Sequence, residues 1–268
     1  MAQLDAGAPR TNFRAVALFL LIAFAFSWVQ WLAAMPQAKQ WIGIRVPLTP
    51  FGSFGPAIAA LVVLRARGLW RWRMPALSLI AACFTLPITA LVCFFIAVRL
   101  SGDATSLSFP SLAIIAAASA QMLILGGPLG EEPGWRGYLL PELRKSMGPL
   151  LATLVVAAVW LASHLPLYWV PGSAQQEIPF SKFALALFAY SFVMTWLVER
   201  SGGSTLAAVL FHTSANVTFW LAAVAIQSKA QDHAFWPAYL AALAVLGAAS
   251  ALVLLLVGSG RLVRSAAR

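Results

Sequence analysis

Long apolar runs, separated by short polar loops, make up most of the chain. A run of about 20 apolar residues can cross about 30 Å of hydrocarbon as an α-helix, because each residue adds about 1.5 Å. Candidate runs lie at 14–34, 48–64, 76–98, 108–128, 148–170, 180–198, 204–226 and 234–258. The second run is short and is interrupted by the glycines and prolines of PFGSFGP. The pattern predicts an all-α, polytopic membrane protein with about eight transmembrane helices.

The apolar runs leave no room for a separate soluble region. Together they cover most of residues 1–268, so we expect a single integral membrane domain. The first run follows Arg10 and Arg14, and its apolar core is longer than that of a typical signal peptide. We therefore expect the first run to be retained as a transmembrane span.

Composition and charge agree with a membrane protein and indicate its orientation. Hydrophobic residues make up 61% of the chain, charged residues make up 10%, and the mean hydropathy is +0.84. The net charge of +10 comes from basic residues spread over short loops. With Arg136 set aside, one alternate set of loops holds twelve Lys and Arg residues and the other holds five. Because cytoplasmic loops collect Lys and Arg, we predict that both termini are cytoplasmic and that the basic residues are membrane anchors, with no nucleic-acid partner.

A few polar side chains fall at membrane depth, where an ionisable group is costly and usually functional. GEEPGWRGYLLP places two adjacent carboxylates between apolar runs, although the chain has only eight acidic residues. WLASH and FHTSAN add polar side chains to the fifth and seventh runs. The candidates are Glu131, Glu132, Arg136, His164, His212 and Asn216. Counted from the predicted cytoplasmic ends, they reach similar depths, which predicts an intramembrane active-site cavity.

Helical spacing predicts how these side chains are arranged. Glu132 and Arg136 are four residues apart, as are His212 and Asn216, so each pair shares one helix face. Glu131 lies about 100° around the helix from Glu132, which lets one carboxylate pair with Arg136 while the other faces the interior. The Pro-Gly pair that follows Glu132 predicts a bend or an interruption of the helix.

Each of these features also has a structural interpretation. A single membrane histidine is often a partner in a hydrogen bond between helices, and Glu132 with Arg136 can be a structural ion pair. The combination of two Glu, two His and an Asn at one depth favours a site that uses water. A buried carboxylate suits a general base, while imidazole and amide groups can donate hydrogen bonds to an oxyanion. Two His and a Glu are also a ligand set of hydrolytic zinc.

Both interpretations lead to hydrolysis of an amide bond, and other intramembrane proteases fit the sequence poorly. The chain has no HExxH motif of a zinc protease, no aspartate at membrane depth and no GxSG-type nucleophile motif.

Three ordered motifs resemble those of the CPBP family, the CAAX protease and bacteriocin-processing group. EEPGWR matches the EExxxR motif, WLASH matches the aromatic-xxx-His motif through Trp160 and His164, and HTSAN matches the HxxxN motif. The motif-bearing core covers residues 110–226. The resemblance implies an eight-helix intramembrane endopeptidase in a prokaryotic cell membrane. It acts on a membrane-associated protein or peptide, which in some members is lipidated, within the lipid bilayer.

The resemblance also implies a role for each motif residue. Glu131 would activate the water, Glu132 would support it while held by Arg136, and His164 would position the water or bind a metal. His212 and Asn216 would stabilise the oxyanion. Trp160 would shape the cavity.

Two questions stay open at this stage. A zinc ion would use Glu131, His164 and His212, but a metal-free mechanism is favoured because Arg136 and a dication would compete for Glu132. A non-catalytic membrane scaffold or bacteriocin immunity protein and a proton-coupled transporter are the alternative functions. The absence of an inverted-repeat pattern argues against transport.

Overall fold

The computed structural model describes residues 10–34, 49–64, 71–101, 108–225 and 235–257. Some residues on which the predicted orientation rests lie outside these ranges: Lys39, Arg45, Arg65, Arg67, Lys229, Arg261, Arg264 and Arg268.

Regular structure in the described ranges is helical throughout. In chain order the α-helices are α1 (Phe13–Ala34), α2 (Gly55–Leu64), α3 (Ala76–Ser101), α4 (Leu112–Leu125), α5 (Pro128–Gly134), α6 (Leu140–Leu143), α7 (Pro149–Ser163), α8 (Ala174–Glu177), α9 (Phe180–Arg200), α10 (Thr205–Ala225) and α11 (Trp236–Val257). A 3-10 turn (Thr49–Phe54) precedes α2 and another (Leu165–Trp169) follows α7. A π-helical turn (Trp135–Leu139) joins α5 to α6.

Within the described residues, seven stretches are long and apolar enough to cross a membrane. They are Phe13–Ala33, Ala76–Arg99, Leu112–Leu143, Pro149–Trp169, Phe180–Arg200, Thr205–Ala225 and Trp236–Leu256. The prediction of an all-α, polytopic membrane protein is confirmed. The predicted run at 48–64 forms a shorter apolar helix, Phe51–Leu64, so length and composition support seven spans and not eight.

The fourth predicted run is broken at the point where the acidic motif begins. Helix α4 ends at Leu125, and Gly127 has a φ of 112°, a conformation that favours glycine. Pro128 then begins α5, because proline suits the first helical position. The two carboxylates therefore lie on a separate short helix. The predicted interruption near Pro133 is present as the π-helical turn, which begins two residues later at Trp135.

The helices that carry the histidines are the most enclosed. In the spans Pro149–Trp169 and Thr205–Ala225, 50% of the most hydrophobic stretch is buried. The buried share is 22% in Trp236–Leu256 and 11% in Leu112–Leu143. Large apolar side chains on α3 are exposed on the outside of the bundle, where lipid would surround them. The motif histidines therefore lie on the central helices.

Helix α5 packs backbone to backbone against α2. A Cβ atom on Gly134 would lie 2.4 Å from Cβ of Pro56, and one on Gly130 would lie 2.5 Å from the carbonyl oxygen of Ser53. Small residues four positions apart allow helices in a membrane to approach this closely. Gly134 thus allows α5 to pack against α2, and Gly130 allows it to pack against the 3-10 turn that precedes α2.

Candidate active site

The carboxylate of Glu131 is buried and has a different environment at each oxygen. The indole N–H of Trp160, on α7, donates a hydrogen bond to Oε2 of Glu131 at 2.5 Å. The other oxygen, Oε1, lies 4.0 Å from Nε2 of His164. One carboxylate oxygen is therefore held by α7, and the other faces a histidine without direct contact.

The hydrogen bonds of His164 define its tautomer. Nδ1 lies 2.8 Å from the carbonyl oxygen of Trp160. Because a carbonyl oxygen can only accept, Nδ1 carries the proton and Nε2 of the neutral ring is an acceptor. Trp31, Trp160 and Phe183 surround the imidazole, with ring centroids 5.4 to 6.0 Å away. These aromatic rings hold the imidazole in place while its acceptor faces Glu131.

The gap between Glu131 and His164 has the dimensions of a water site. Two acceptors 4.0 Å apart cannot bond each other directly. One water at about 2.8 Å from each acceptor would have an angle of about 90° at its oxygen, close to that of its two O–H bonds. Such a water would donate both protons to these acceptors and direct its lone pairs away from them.

The second carboxylate belongs to a fully buried ion pair. Nη1 of Arg136 lies 3.1 Å from both oxygens of Glu132, as the four-residue spacing predicts. Nη2 of Arg136 donates a hydrogen bond to Oγ of Ser191, on α9, at 2.6 Å. The guanidinium carbon also lies 4.4 Å from the ring centroid of Trp160, which is a cation–π contact. The ion pair is thus held by α9 through Ser191 and by α7 through Trp160.

His212 is joined to this ion pair. Its Nδ1 lies 2.8 Å from Oε1 of Glu132, and its ring packs edge-to-face on Trp160 with centroids 5.1 Å apart. Because both oxygens of Glu132 accept from Nη1 of Arg136, the carboxylate is an acceptor and Nδ1 is the donor. In the neutral ring Nε2 is then an acceptor, and His212 can donate a second hydrogen bond only as an imidazolium.

Asn216, one turn along α10, contacts the glycine turn before α5. Its Nδ2 donates a hydrogen bond to the carbonyl oxygen of Gly126 at 3.0 Å. The amide has a second N–H, which this contact leaves available. A Cβ atom on Gly127 would lie 2.6 Å from Oε1 of Glu131 and 3.6 Å from Cε1 of His212. The glycine turn therefore leaves open the space beside both side chains.

The buried charges of this site do not balance. Glu131, Glu132 and Arg136 are each no more than 4% exposed. With both histidines neutral, they carry one negative charge in excess. An uncompensated charge away from water is unfavourable, so a water that donates to the second oxygen of Glu131 would stabilise the site.

The arrangement does not fit a zinc ion. No group of three or more His, Cys, Asp or Glu side chains in the described ranges is positioned to hold a metal ion. Both oxygens of Glu132 contact Arg136, and Nδ1 of His212 is bonded to Glu132. Glu131, His164 and His212, the expected ligands, do not form such a group.

Ser191 and Gly127 were not predicted from the sequence as contributors to the site, and the contact of Trp160 with a carboxylate was not predicted either. Trp160 was expected to shape the cavity, but its N–H also bonds a carboxylate. Ser191 lies outside all three motifs, and a serine in an apolar helix carries no sequence signal of its own. Gly127 could have been suspected from the GGP stretch before the motif, because a glycine pair before a proline is typical of a turn.

Comparison with known proteins identifies the same part of the chain. Residues 113–218 match the family model of the type II CAAX prenyl endopeptidases, Rce1-like. A protein of Methanococcus maripaludis named CAAX prenyl protease 2 is 29% identical over 114 residues. The resemblance to the CPBP family is confirmed. The alignment covers 40% of this chain and 42% of that CPBP relative, so it spans less than half the length of either.

The matched residues contain all three CPBP motifs and the structure that joins them. They run from α4, through the glycine turn and α5, to the middle of α10. Ser191 also lies in this region, although no motif includes it. Helices α1 to α3 and α11 lie outside the match.

Proposed function

We propose that this chain is an intramembrane endopeptidase in which Glu131 activates water to hydrolyse a peptide bond. The observation that carries the proposal is the 4.0 Å gap between two buried acceptors, Oε1 of Glu131 and Nε2 of His164. A water that donates to both acceptors has its lone pairs free to attack a carbonyl carbon. This geometry is that of a general base and a positioning group.

The proton of the attacking water has a defined route. As the water oxygen bonds to the carbonyl carbon, Glu131 accepts one proton at Oε1. When the C–N bond breaks, the protonated Glu131 gives that proton to the leaving amine. The second proton of the water stays on the new acid and is lost as that acid ionises. Trp160 holds Oε2 throughout, so the reacting oxygen keeps its position.

His212 and Asn216 supply the stabilisation of the oxyanion. The free N–H of Asn216 can donate directly, since its other N–H is bound to Gly126. Nδ1 of His212 is bound to Glu132, so His212 can donate to the oxyanion only when its Nε2 also carries a proton. Glu132 and Arg136 thus act through His212.

The substrate is a protein or peptide that reaches the site within the bilayer. The family model and the archaeal relative are named for CAAX prenyl substrates, so a prenylated C-terminal peptide is the first substrate to test. The large apolar side chains exposed on the outside of the bundle suit a substrate that carries a lipid.

The proposal is tested by proteolysis in reconstituted vesicles. The purified protein is mixed with a peptide library that contains farnesylated CAAX peptides and their unmodified counterparts, and products are identified by mass spectrometry in H₂¹⁸O. We expect wild-type protein to cut at least one peptide and place one ¹⁸O in the new carboxyl group. Glu131→Gln should give no product.

The same sample answers the question of zinc. We expect cleavage to persist after chelation and metal content to stay well below one ion per chain. Stoichiometric zinc, with activity lost on chelation and restored by zinc, would contradict the metal-free mechanism. Proton uptake driven by a gradient, with no cleavage of any peptide, would instead favour the transporter. The absence of both peptide cleavage and proton uptake would favour the membrane scaffold.

A further inference from the structure

Ser191 lies on α9, in the middle of the bundle and far in sequence from every motif. Its side chain is fully buried, and its Oγ accepts a hydrogen bond from Nη2 of Arg136 at 2.6 Å. Arg136 lies on the π-helical turn after α5, 55 residues away. This contact therefore joins α9 to the helix that carries the acidic motif.

Ser191 differs from five other hydroxyl side chains in these helices. A serine or threonine in an apolar helix commonly bonds the carbonyl oxygen four residues earlier, and so has only a local effect. Five described side chains do this: Thr85, Thr89, Ser119, Thr153 and Thr213. The oxygen of Ser191 is instead used by a buried cation on another helix.

The geometry of Arg136 makes this contact important. In a forked arginine–carboxylate pair two nitrogens bind two oxygens, which fixes the orientation of both groups. Here the single Nη1 contacts both oxygens of Glu132, and that contact alone leaves the guanidinium free to rock. Nε of Arg136 is buried and has no partner in the described residues. Ser191 therefore supplies the second hydrogen-bonding partner that fixes the guanidinium, in addition to the ring face of Trp160.

We propose that Ser191 is a positioning residue, which sets Arg136 and, through Glu132, the orientation of His212. The chain of contacts runs from Ser191 to Arg136 at 2.6 Å, to Glu132 at 3.1 Å and to Nδ1 of His212 at 2.8 Å. Its effect on cleavage rests on the function proposed above. Ser191 itself does not touch the reacting atoms.

The kinetic test compares Ser191→Ala with Thr195→Val on the peptide that wild-type protein cleaves fastest. Thr195 is one turn further along α9, and its buried Oγ1 has no partner in the described residues, so it is a matched control. We expect Ser191→Ala to lower kcat about 10- to 100-fold, the effect of one lost hydrogen bond to a charged group, with KM within about threefold. Thr195→Val should keep kcat within about twofold.

A spectroscopic test needs no activity. The chain has only three histidines, so ¹⁵N-histidine labelling gives few signals. The Nδ1 signal of His212 reports its hydrogen bond to Glu132, and that of His164 reports its bond to the Trp160 carbonyl. We expect Ser191→Ala to shift the His212 signal and to leave the His164 signal in place. Thr195→Val should shift neither.

The outcomes separate this inference from the proposed function. If wild-type protein cleaves nothing, the proposed function fails, and the His212 signal alone still tests Ser191. An unchanged kcat and an unchanged His212 signal in Ser191→Ala would overturn the positioning role, and so would an equal effect of Thr195→Val. If Ser191→Ala does not fold, Ser191→Cys takes its place. Cysteine keeps the size of the side chain but its sulfur is only a weak acceptor, so the same results are expected and would be judged in the same way.

Discussion

Trp160 is the residue through which the parts of the candidate site touch. Its N–H bonds Glu131, its ring face covers Arg136 and its ring contacts His212. Its backbone carbonyl accepts the Nδ1 proton of His164. One rigid side chain thus sets the distance between the carboxylate that is to act as base and the ion pair beside it.

Trp160→Phe tests the hydrogen bond of the indole N–H separately from the contacts of the aromatic ring. Phenylalanine keeps an aromatic face for Arg136 but cannot bond Glu131, so we expect kcat to fall about 10- to 100-fold. Trp135→Phe is the matched control, because the N–H of Trp135 has no partner in the described residues. Rates are compared per folded protein, since both changes remove the same volume from the interior. Equal loss in both variants would mean that packing, and not the hydrogen bond, matters at Trp160.

At the residue scale, sequence spacing predicted local pairs and missed those that need the fold. The four-residue separation of Glu132 and Arg136 predicted their ion pair, which is present. Its extension to Ser191 depends on how α9 packs, and the sequence of one helix does not contain that information. Likewise, one oxygen of Glu131 bonds Trp160 and the other faces His164 only because α7 lies beside α5.

At the scale of elements, α5 is a short helix held at both ends. The glycine turn precedes it, the π-helical turn follows it, and α2 packs against its glycines. An irregular backbone at membrane depth is tolerated where protein surrounds it. Because of this irregularity, both carboxylates are buried inside the protein. A regular continuation of α4 would direct only one of its faces toward the interior.

Gly134→Ala should loosen the contact between α5 and α2. Alanine normally stabilises a helix interior relative to glycine, but here its Cβ would lie 2.4 Å from Cβ of Pro56. We expect a loss of about 1–3 kcal/mol in the free energy of unfolding, as for other overpacked contacts. Gly148→Ala, where nothing lies within 4 Å of the added carbon, should change it by less than about 1 kcal/mol. Thermal unfolding in bicelles would show the difference, and equal stabilities would contradict the close packing.

The elements themselves were largely predictable, because apolar length determines where a helix can cross a membrane. The run at 48–64 was the least certain, and it contains a 3-10 turn and a ten-residue helix. The break at Gly126 was missed, because the predicted apolar run was continued through the GGP stretch to residue 128. Hydropathy records burial in lipid or protein and does not register a change in backbone direction.

At the scale of the whole molecule, the structure gathers several basic segments at one end of the bundle. Thr11 bonds the carbonyl oxygen of Glu142, Arg144 pairs with Glu199, and Ser204 bonds the carbonyl oxygen of Arg71. These contacts join the chain before α1, the start of α3, the end of α6 and the turn after α9. A common side of the membrane for these segments, as the charge asymmetry predicts, requires the segment before Arg71 to return across the bilayer.

The second segment is shorter than the seven spans but comes close to the length that this return needs. Its 3-10 turn rises about 2.0 Å per residue and α2 about 1.5 Å, which together give about 27 Å. Reporter fusions after Arg73, Lys145 and Arg200 should be cytoplasmic, and fusions near Asp103, Glu177 and Asp232 should be external. An external signal after Arg73 would overturn the orientation, because that loop has the strongest cluster of positive charge.

The most direct test of the account is the rate at which Glu131→Gln cleaves a peptide that wild-type protein cuts. Glutamine keeps the size of the side chain and its contact with Trp160 but cannot accept the proton of water. Glu177→Gln, the same change at an exposed position, is the control. We expect Glu131→Gln to lose at least about 1000-fold in single-turnover rate with unchanged folding, and Glu177→Gln to match wild type. Cleavage by purified Glu131→Gln at the wild-type rate would show that Glu131 is not the base.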